Sequence, residues 1–174
     1  MPKLTINDEA FDAAAGDNIL AVARRKGAHI WFVCDGRGLC KTCECRVLLG
    51  LDNLSPPTKI EADMLTESRR VKGHRLACQT KIAGSGPVNI ISVAEEVRRN
   101  TRDLFLGAEG KEWSENLDVW TDTLSRISLD YMRSLPSAMV HAFPEILAKP
   151  PRPSDLEQFA RDAWRVADRL LSKK

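Results

Sequence analysis

The sequence has no long apolar run. No stretch approaches the ~18 consecutive apolar residues of a membrane-crossing helix, so a transmembrane span is excluded. Met1-Pro2-Lys3-Leu4-Thr5 has no apolar core and no cleavage site, so no secretory signal is expected and the cytoplasm is the expected compartment. No charge of one sign prevails. Lys+Arg number 26 against 24 Asp+Glu in 174 residues, a net charge of +2 that excludes a broad nucleic-acid footprint. Internal repeats and low-complexity tracts are absent. So are G-x-S-x-G, the P-loop, a G-x-G-x-x-G opening a helix, and H-E-x-x-H, which argues against an enzyme in its own right. Histidine is scarce, and His29, His74 and His141 do not stand at zinc-finger spacing. Hydrophobic residues at 43% and charged residues at 29% leave a globular chain, long enough for one ordinary domain or two small ones.

Against these absences stand five cysteines: Cys34, Cys40, Cys43, Cys45 and Cys78. An odd number in a chain expected to be cytoplasmic argues for metal or redox chemistry over a disulfide framework. Three of them give C-x5-C-x2-C, and Cys78 follows after 34 intervening residues. One CxxC alone suits zinc or a dithiol, but structural zinc takes a second pair or histidines, and neither is placed to help. No histidine is paired with cysteine as a Rieske centre requires. A tight loop with three thiolates and one remote thiolate fits a 2Fe–2S cluster, with two thiolates on each iron. Gly36 and Gly38 let the loop wrap closely and aim peptide N–H groups at sulfur. Zinc or disulfide chemistry at the same cysteines is the competing reading, and an incidental Gly-rich turn is the bland one. Cys45, two residues beyond Cys43, is read as a small buried apolar residue, and His74 as structural.

The segment Cys34-Asp-Gly-Arg-Gly-Leu-Cys40-Lys-Thr-Cys43-Glu-Cys-Arg-Val-Leu-Leu-Gly, then Leu-Ser-Pro-Pro-Thr at 54–58, then His-Arg-Leu-Ala-Cys-Gln-Thr at 74–80, closely resembles the 2Fe–2S ferredoxins. The five-residue first gap is similar to the adrenodoxin type. The resemblance covers about residues 2–95. It implies Cys34, Cys40, Cys43 and Cys78 as ligands of one 2Fe–2S cluster, a β-grasp fold, and one-electron transfer between electron-donor and electron-acceptor proteins. It also implies a docking edge along the loop, with Arg37, Leu39 and Lys41 where a partner would touch. An acidic docking helix of the adrenodoxin kind is not expected, because Glu61, Asp63 and Glu67 are mixed with Lys59, Arg69, Arg70 and Lys72. A narrower resemblance rests on Ala94-Glu95-Glu96-Val97-Arg98-Arg99, which directly follows the ferredoxin-like part. It is similar to the iron–sulfur proteins of the chlorosome envelope, and implies an extension that holds a redox-sensing protein at the edge of a membrane or chlorosome-type assembly.

Pattern alone reads as a small α+β domain over 1–95 followed by a helical extension over 96–174. Lys3–Ile6 and Glu9–Asp12 form a hairpin about Asn7-Asp8. Asp17 or Asn18 caps a helix over 19–26 that ends at Gly27. Strands are expected at 30–33, 43–49, 76–82 and 88–93, and a loop with one short helix at 58–70. In the extension, Val93, Val97, Leu104 and Phe105 suggest a helix. Trp113, Leu117, Trp120, Leu124, Ile127 and Tyr131 form a stripe expected to be core. Pro136, Pro144 and 150–153 are expected to break the helices. Ser154 and Glu157 form a capping box before a helix with Leu156, Phe159, Ala163, Ala167 and Leu170 on one side. Arg98, Arg99 and Arg102 are read as a solvated face, and His141 as a packed histidine beside Val140 and Phe143.

Overall fold

The computed structural model describes residues 2–108, 110–148 and 153–172. Its centre is a five-stranded mixed sheet in the order β2-β1-β5-β3-β4. Strand β1 (Lys3–Ile6) turns through Asn7 and Asp8, both at positive φ, into antiparallel β2 (Glu9–Asp12). Asn and Asp tolerate the left-handed region that a two-residue hairpin turn demands. Strand β5 (Val88–Ser92) runs parallel to β1, and β3 (Glu44–Leu49) lies antiparallel to both β5 and β4 (His74–Leu76).

Helix α1 (Ile19–Lys26) crosses the sheet. It buries Ile19, Leu20, Val22 and Ala23 against Leu4, Ile6, Val88 and Ile90. Asn18 caps it by accepting from the Ala21 N–H at 3.1 Å, and Gly27 ends it at φ 73°. A Cβ on Gly27 would meet the Arg165 carbonyl at 3.0 Å, so glycine serves both the turn and the approach of the last helix.

Several expected elements come out differently. Residues 30–33 alternate like a strand, with Ile30 and Phe32 buried and Trp31 and Val33 exposed, yet no strand pairs with them. Their amides serve the loop instead: Val33 N–H donates to Thr42 Oγ1 at 3.2 Å. The strand expected over 76–82 ends at Leu76, where the chain turns. Lys81 and Ile82 make only isolated bridges to Asn18 and Leu54. Between 58 and 71 there are two short helices, α2 (Lys59–Met64) and α3 (Glu67–Val71), where one was expected.

Strand β5 runs straight into α4 (Val93–Leu106), whose N-terminus is capped by Ser92. Helix α5 (Trp113–Ala148) continues through Pro136 and Pro144, both expected to break it. Each proline removes one N–H bond and crowds one carbonyl, and a helix this long keeps its other turns. Its stripe is half-buried from Leu117 to Tyr131, while Trp113, at the free start, is exposed. Trp120 Nε1 donates to Thr101 Oγ1 at 3.1 Å and Asn100 Nδ2 to Thr123 Oγ1 at 2.9 Å, which ties α5 to α4.

Helix α6 (Pro153–Leu171) lies on α1. Phe159 stacks edge-on against Phe32, and Arg24 Nε donates to Asp162 at 2.6 Å. Leu156 and Ala167, expected on the packed side, are exposed, and Phe159, Ala163 and Val166 are the side chains packed against the core. The expected capping box at Ser154 and the surroundings of His141 lie outside the described residues.

Asn18 joins helix and turn, since its Nδ2 also donates to the Cys78 carbonyl at 2.8 Å. Replacing it by alanine is expected to cost about 2 kcal/mol in urea unfolding of the metal-free protein. A loss below ~0.5 kcal/mol would mean that cap and turn are held by other groups.

Candidate functional site

The loop from Cys34 to Cys43 is irregular because its backbone is bent at four left-handed positions: Asp35, Gly36, Gly38 and Lys41. Gly38 is the position with least room. A Cβ there would meet Ile60 Cγ2 at 2.9 Å and Gln79 Nε2 at 3.0 Å. Asp35 is held by Arg24, 2.5 Å away, which also reaches Asp162 of α6. Thr42 Oγ1 lies 2.9 Å from Cys40 Sγ and accepts from Val33 on its other side.

Cys78 arrives on the turn after β4. Gln79 N–H donates to the Leu76 carbonyl at 2.9 Å, and Ala77 N–H to the Cys43 carbonyl at 3.1 Å. The turn is organised by Glu61, which is fully buried. Its Oε1 accepts from Leu76 N–H at 2.9 Å, Arg75 Nε at 2.9 Å and Thr80 Oγ1 at 3.2 Å. Its Oε2 accepts from Arg75 Nη2 and from Thr58 N–H, both at 3.0 Å. Thr58 Oγ1 accepts the Glu61 N–H in return, which makes a capping box for α2.

The structure brings the four candidate cysteines together as two thiol pairs. The Cys34 thiol is influenced most strongly by Cys40, and the Cys43 thiol by Cys78. The Cys34 thiol is held down to about 5, first by the hydrogen bond from Cys40 and then by the peptide N–H groups of Leu39, Cys40 and Arg37, against the opposing effect of burial. Its partner Cys40 is pushed up by the same bond and by burial. In the other pair Cys78 is lowered by Cys43, with help from the Gln79 side chain and the Gly38 N–H, while Cys43 is raised. Peptide and side-chain donors thus converge on sulfur, as expected of the wrapped loop.

Among the described residues, no three of His, Cys, Asp and Glu converge as a single metal ion would require. No cysteine is in a disulfide. Four thiols arranged as two pairs can supply two ligands to each of two metal ions. They fit a dinuclear iron–sulfur centre with one pair on each iron.

Cys45 stands apart. It is fully buried in the sheet, its Sγ lies 3.6 Å from the Arg75 carbonyl, and burial pushes its thiol up. His74 is buried with Nδ1 2.8 Å from Glu44. Arg98 and Arg99, read as a solvated face, both bind Glu95, which also meets His29. Burial pushes the Glu95 carboxyl up, but these three partners hold it well below the ordinary range.

Leu39 and Lys41 are buried and do not form the expected docking edge; Lys41 lies against Ile127, Asp130 and Tyr131 of α5. Arg37 is half-buried and bonds the Cys34 carbonyl at 3.0 Å. Trp31 and Val33, 41% and 68% exposed, are the prominent apolar side chains beside the loop. Glu61 is the residue that the sequence reading missed. Its signal was present in Thr58-x-x-Glu61, which marks a helix start but not the partners of the carboxylate.

Comparison with known proteins follows this geometry. Residues 4–83 match the family model described as the 2Fe-2S iron-sulfur cluster binding domain. The chain is 42% identical to chlorosome protein I of Chlorobaculum tepidum over 96 residues, 55% of this chain and 39% of that protein. It is 37% identical to chlorosome protein J of the same organism, covering 54% of this chain and 42% of that protein. It is 35% identical to 2Fe-2S ferredoxin-5 of Aquifex aeolicus over 94 residues, 52% of this chain and 97% of that protein. The chain therefore spans about two fifths of the chlorosome relatives and nearly all of the Aquifex ferredoxin.

Acid stability should report on Glu61. Burial pushes its carboxyl up, but Arg75 and the N–H groups of Leu76 and Thr58 outweigh this and hold it below the ordinary 4.5. The charged form therefore stabilises the fold above that pH, and the contribution is lost as pH falls through the lower folded value. Glu61→Gln is expected to cost about 3 kcal/mol near neutrality, by leaving Arg75 unpaired. It should also flatten the decline below pH 4.5 relative to wild type. Parallel acid limbs in the two proteins would assign the pH dependence elsewhere.

Proposed function

The chain belongs to the 2Fe–2S ferredoxin family, and from that premise we propose that it carries single electrons between protein partners through one 2Fe–2S cluster held by Cys34, Cys40, Cys43 and Cys78. The observation that carries this reading is the arrangement of the thiols: two pairs, each inside a shell of N–H donors. When bound, the cluster supplies a reversible one-electron couple. The chain's own residues hold four thiolates at fixed positions, and the N–H groups of Arg37, Gly38, Leu39 and Cys40 offset their negative charge. The fixed left-handed turns and the Glu61 anchor limit rearrangement of the loop. Residues 1–95 are the electron-carrying unit and 96–174 the helical extension. Partners approach beside Trp31 and Val33, next to the half-exposed Cys40.

A second reading concerns the extension. Helix α6 packs Phe159, Ala163 and Val166 inward, yet it presents a parallel outer stripe of Leu156, Ala160, Trp164, Ala167 and Leu171. Its three large members are 63%, 74% and 67% exposed. Such a face suits the surface of a lipid layer, and the matches to chlorosome proteins I and J favour it. No helix among the described residues is long and apolar enough to cross a membrane, so the contact would be peripheral.

Anaerobic purification with iron and sulfide assay is expected to give about two of each per chain, and an S = 1/2 signal after dithionite. Alanine at Cys34, Cys40, Cys43 or Cys78 should abolish that signal, and Cys45→Ala should keep it. Colourless protein after attempted reconstitution, or loss of the signal only in Cys45→Ala, would overturn the reading. For the extension, the full chain should sediment with phosphatidylcholine vesicles and the Leu156→Asp/Trp164→Asp/Leu171→Asp variant should not. Absence of wild-type protein from the pellet in both redox states would remove the second reading.

A further inference from the structure

We propose that Asp130, on helix α5 of the extension, is a positioning residue for the cysteine loop, acting through Arg69 and Glu44. The inference rests on the cluster reading above and adds to it a residue from outside the ferredoxin unit. Arg69, on α3, lies between two carboxylates. Its Nε donates to Glu44 Oε1 at 2.7 Å and its Nη2 bonds the same oxygen, while its Nη1 pairs with Asp130 Oδ2 at 2.5 Å. Glu44 directly follows Cys43. Its Oε2 lies 3.8 Å from Nζ of Lys41, which directly follows Cys40. His74 completes the surroundings, with Nδ1 2.8 Å from Glu44 Oε1. The residues next to two proposed ligands are thus joined to the extension by one chain of charged contacts.

The chain of contacts is shielded from water. Side-chain exposures are 2% for Lys41, 5% for Glu44, 10% for Arg69 and 13% for Asp130. Beside it, a cavity of about 20 Å³, room for a single water, is lined by Trp31, Lys41, Thr42, Ile127, Asp130 and Tyr131. Lys41 is a non-glycine residue at φ 59°, a conformation that persists only where its surroundings fix it. Two cations face two carboxylates here. With Asp130 neutral, the balance beside the thiols becomes one charge more positive. That excess favours the reduced, more negative site, and the loop loses one of its supports.

The test compares full-length wild type, Asp130→Asn, the charge-preserving Asp130→Glu, and Asp122→Asn on an exposed position of the same helix. Asp130→Asn is expected to lose iron to a chelator on the order of tenfold faster, and to have a more positive reduction potential. Asp130→Glu should restore both in large part, and Asp122→Asn should match wild type. If Asp130→Asn does not fold, the wild type decides by amide exchange: cluster loading should slow exchange in residues 124–134. Identical potential and iron loss in Asp130→Asn and wild type overturns the role of Asp130 while leaving the electron-carrier reading in place, as does unchanged exchange on loading. A wild type that takes up no cluster overturns both.

Discussion

The buried carboxylate of Glu61 is the constraint on which the site depends. A loop can collect three thiols from neighbouring sequence, but the fourth comes from a strand end far along the chain. Glu61 fixes that end through Leu76 N–H, the Nε–Nη2 edge of Arg75 and Thr80, and is itself fixed at the start of α2 through Thr58. A buried carboxylate without partners would be expensive, and this one is matched on every side. The cost of desolvation is therefore turned into geometry, because the turn cannot shift without breaking several charge-assisted bonds at once. Asn18 acts on the same turn from the opposite side, through the carbonyl of Cys78.

Glu44 and Glu95 follow the same logic at other joints. Each would have its carboxyl raised by burial, and each is held below the ordinary range by cations and hydrogen bonds. Glu44 meets His74, Arg69 and Lys41. Glu95 meets His29, Arg98 and Arg99. All three carboxylates sit at or near the start of a regular element: Glu44 opens β3, and Glu61 and Glu95 are the third residues of α2 and α4. Apolar packing would hold such joints with less directional precision, since it has no preferred angle. A site that must keep its thiols still during a change of charge gains from that directionality.

Much of the fold was legible because its signals are local. The hairpin at Asn7-Asp8, the Asn18 cap and the Gly27 stop depend on residues within one turn of each other. The cysteine spacing marks candidate ligands, because ligand chemistry restricts which gaps serve. The segment 30–33 misled because alternation reports which side chains are buried, not whether another strand pairs alongside. The strand at 76–82 was cut short by a turn whose carboxylate lies in α2. Pro136 and Pro144 misled because a proline penalty is small against the remaining turns of a long helix. The burial of Lys41 was illegible for the same reason as the role of Glu61: both are set by partners on other elements.

The extension alters what a partner can reach. The reading of the sequence placed a docking edge at Leu39 and Lys41, both of which are buried. With α5 on one flank and α6 on the other, at Phe32 and Asp35 through Phe159 and Arg24, the open edge is narrowed to the neighbourhood of Trp31, Val33 and Cys40. Both helices also keep large apolar side chains on their outer faces, among them Leu129 and Met132 on α5 and Trp164 on α6. The inner faces pack on the ferredoxin unit while the outer faces stay apolar. The same two helices that flank the cysteine loop also carry these exposed apolar side chains. Asp130 on α5 reaches, through Arg69 and Glu44, the residues that directly follow Cys43 and Cys40, so the extension and the loop share one set of charged contacts.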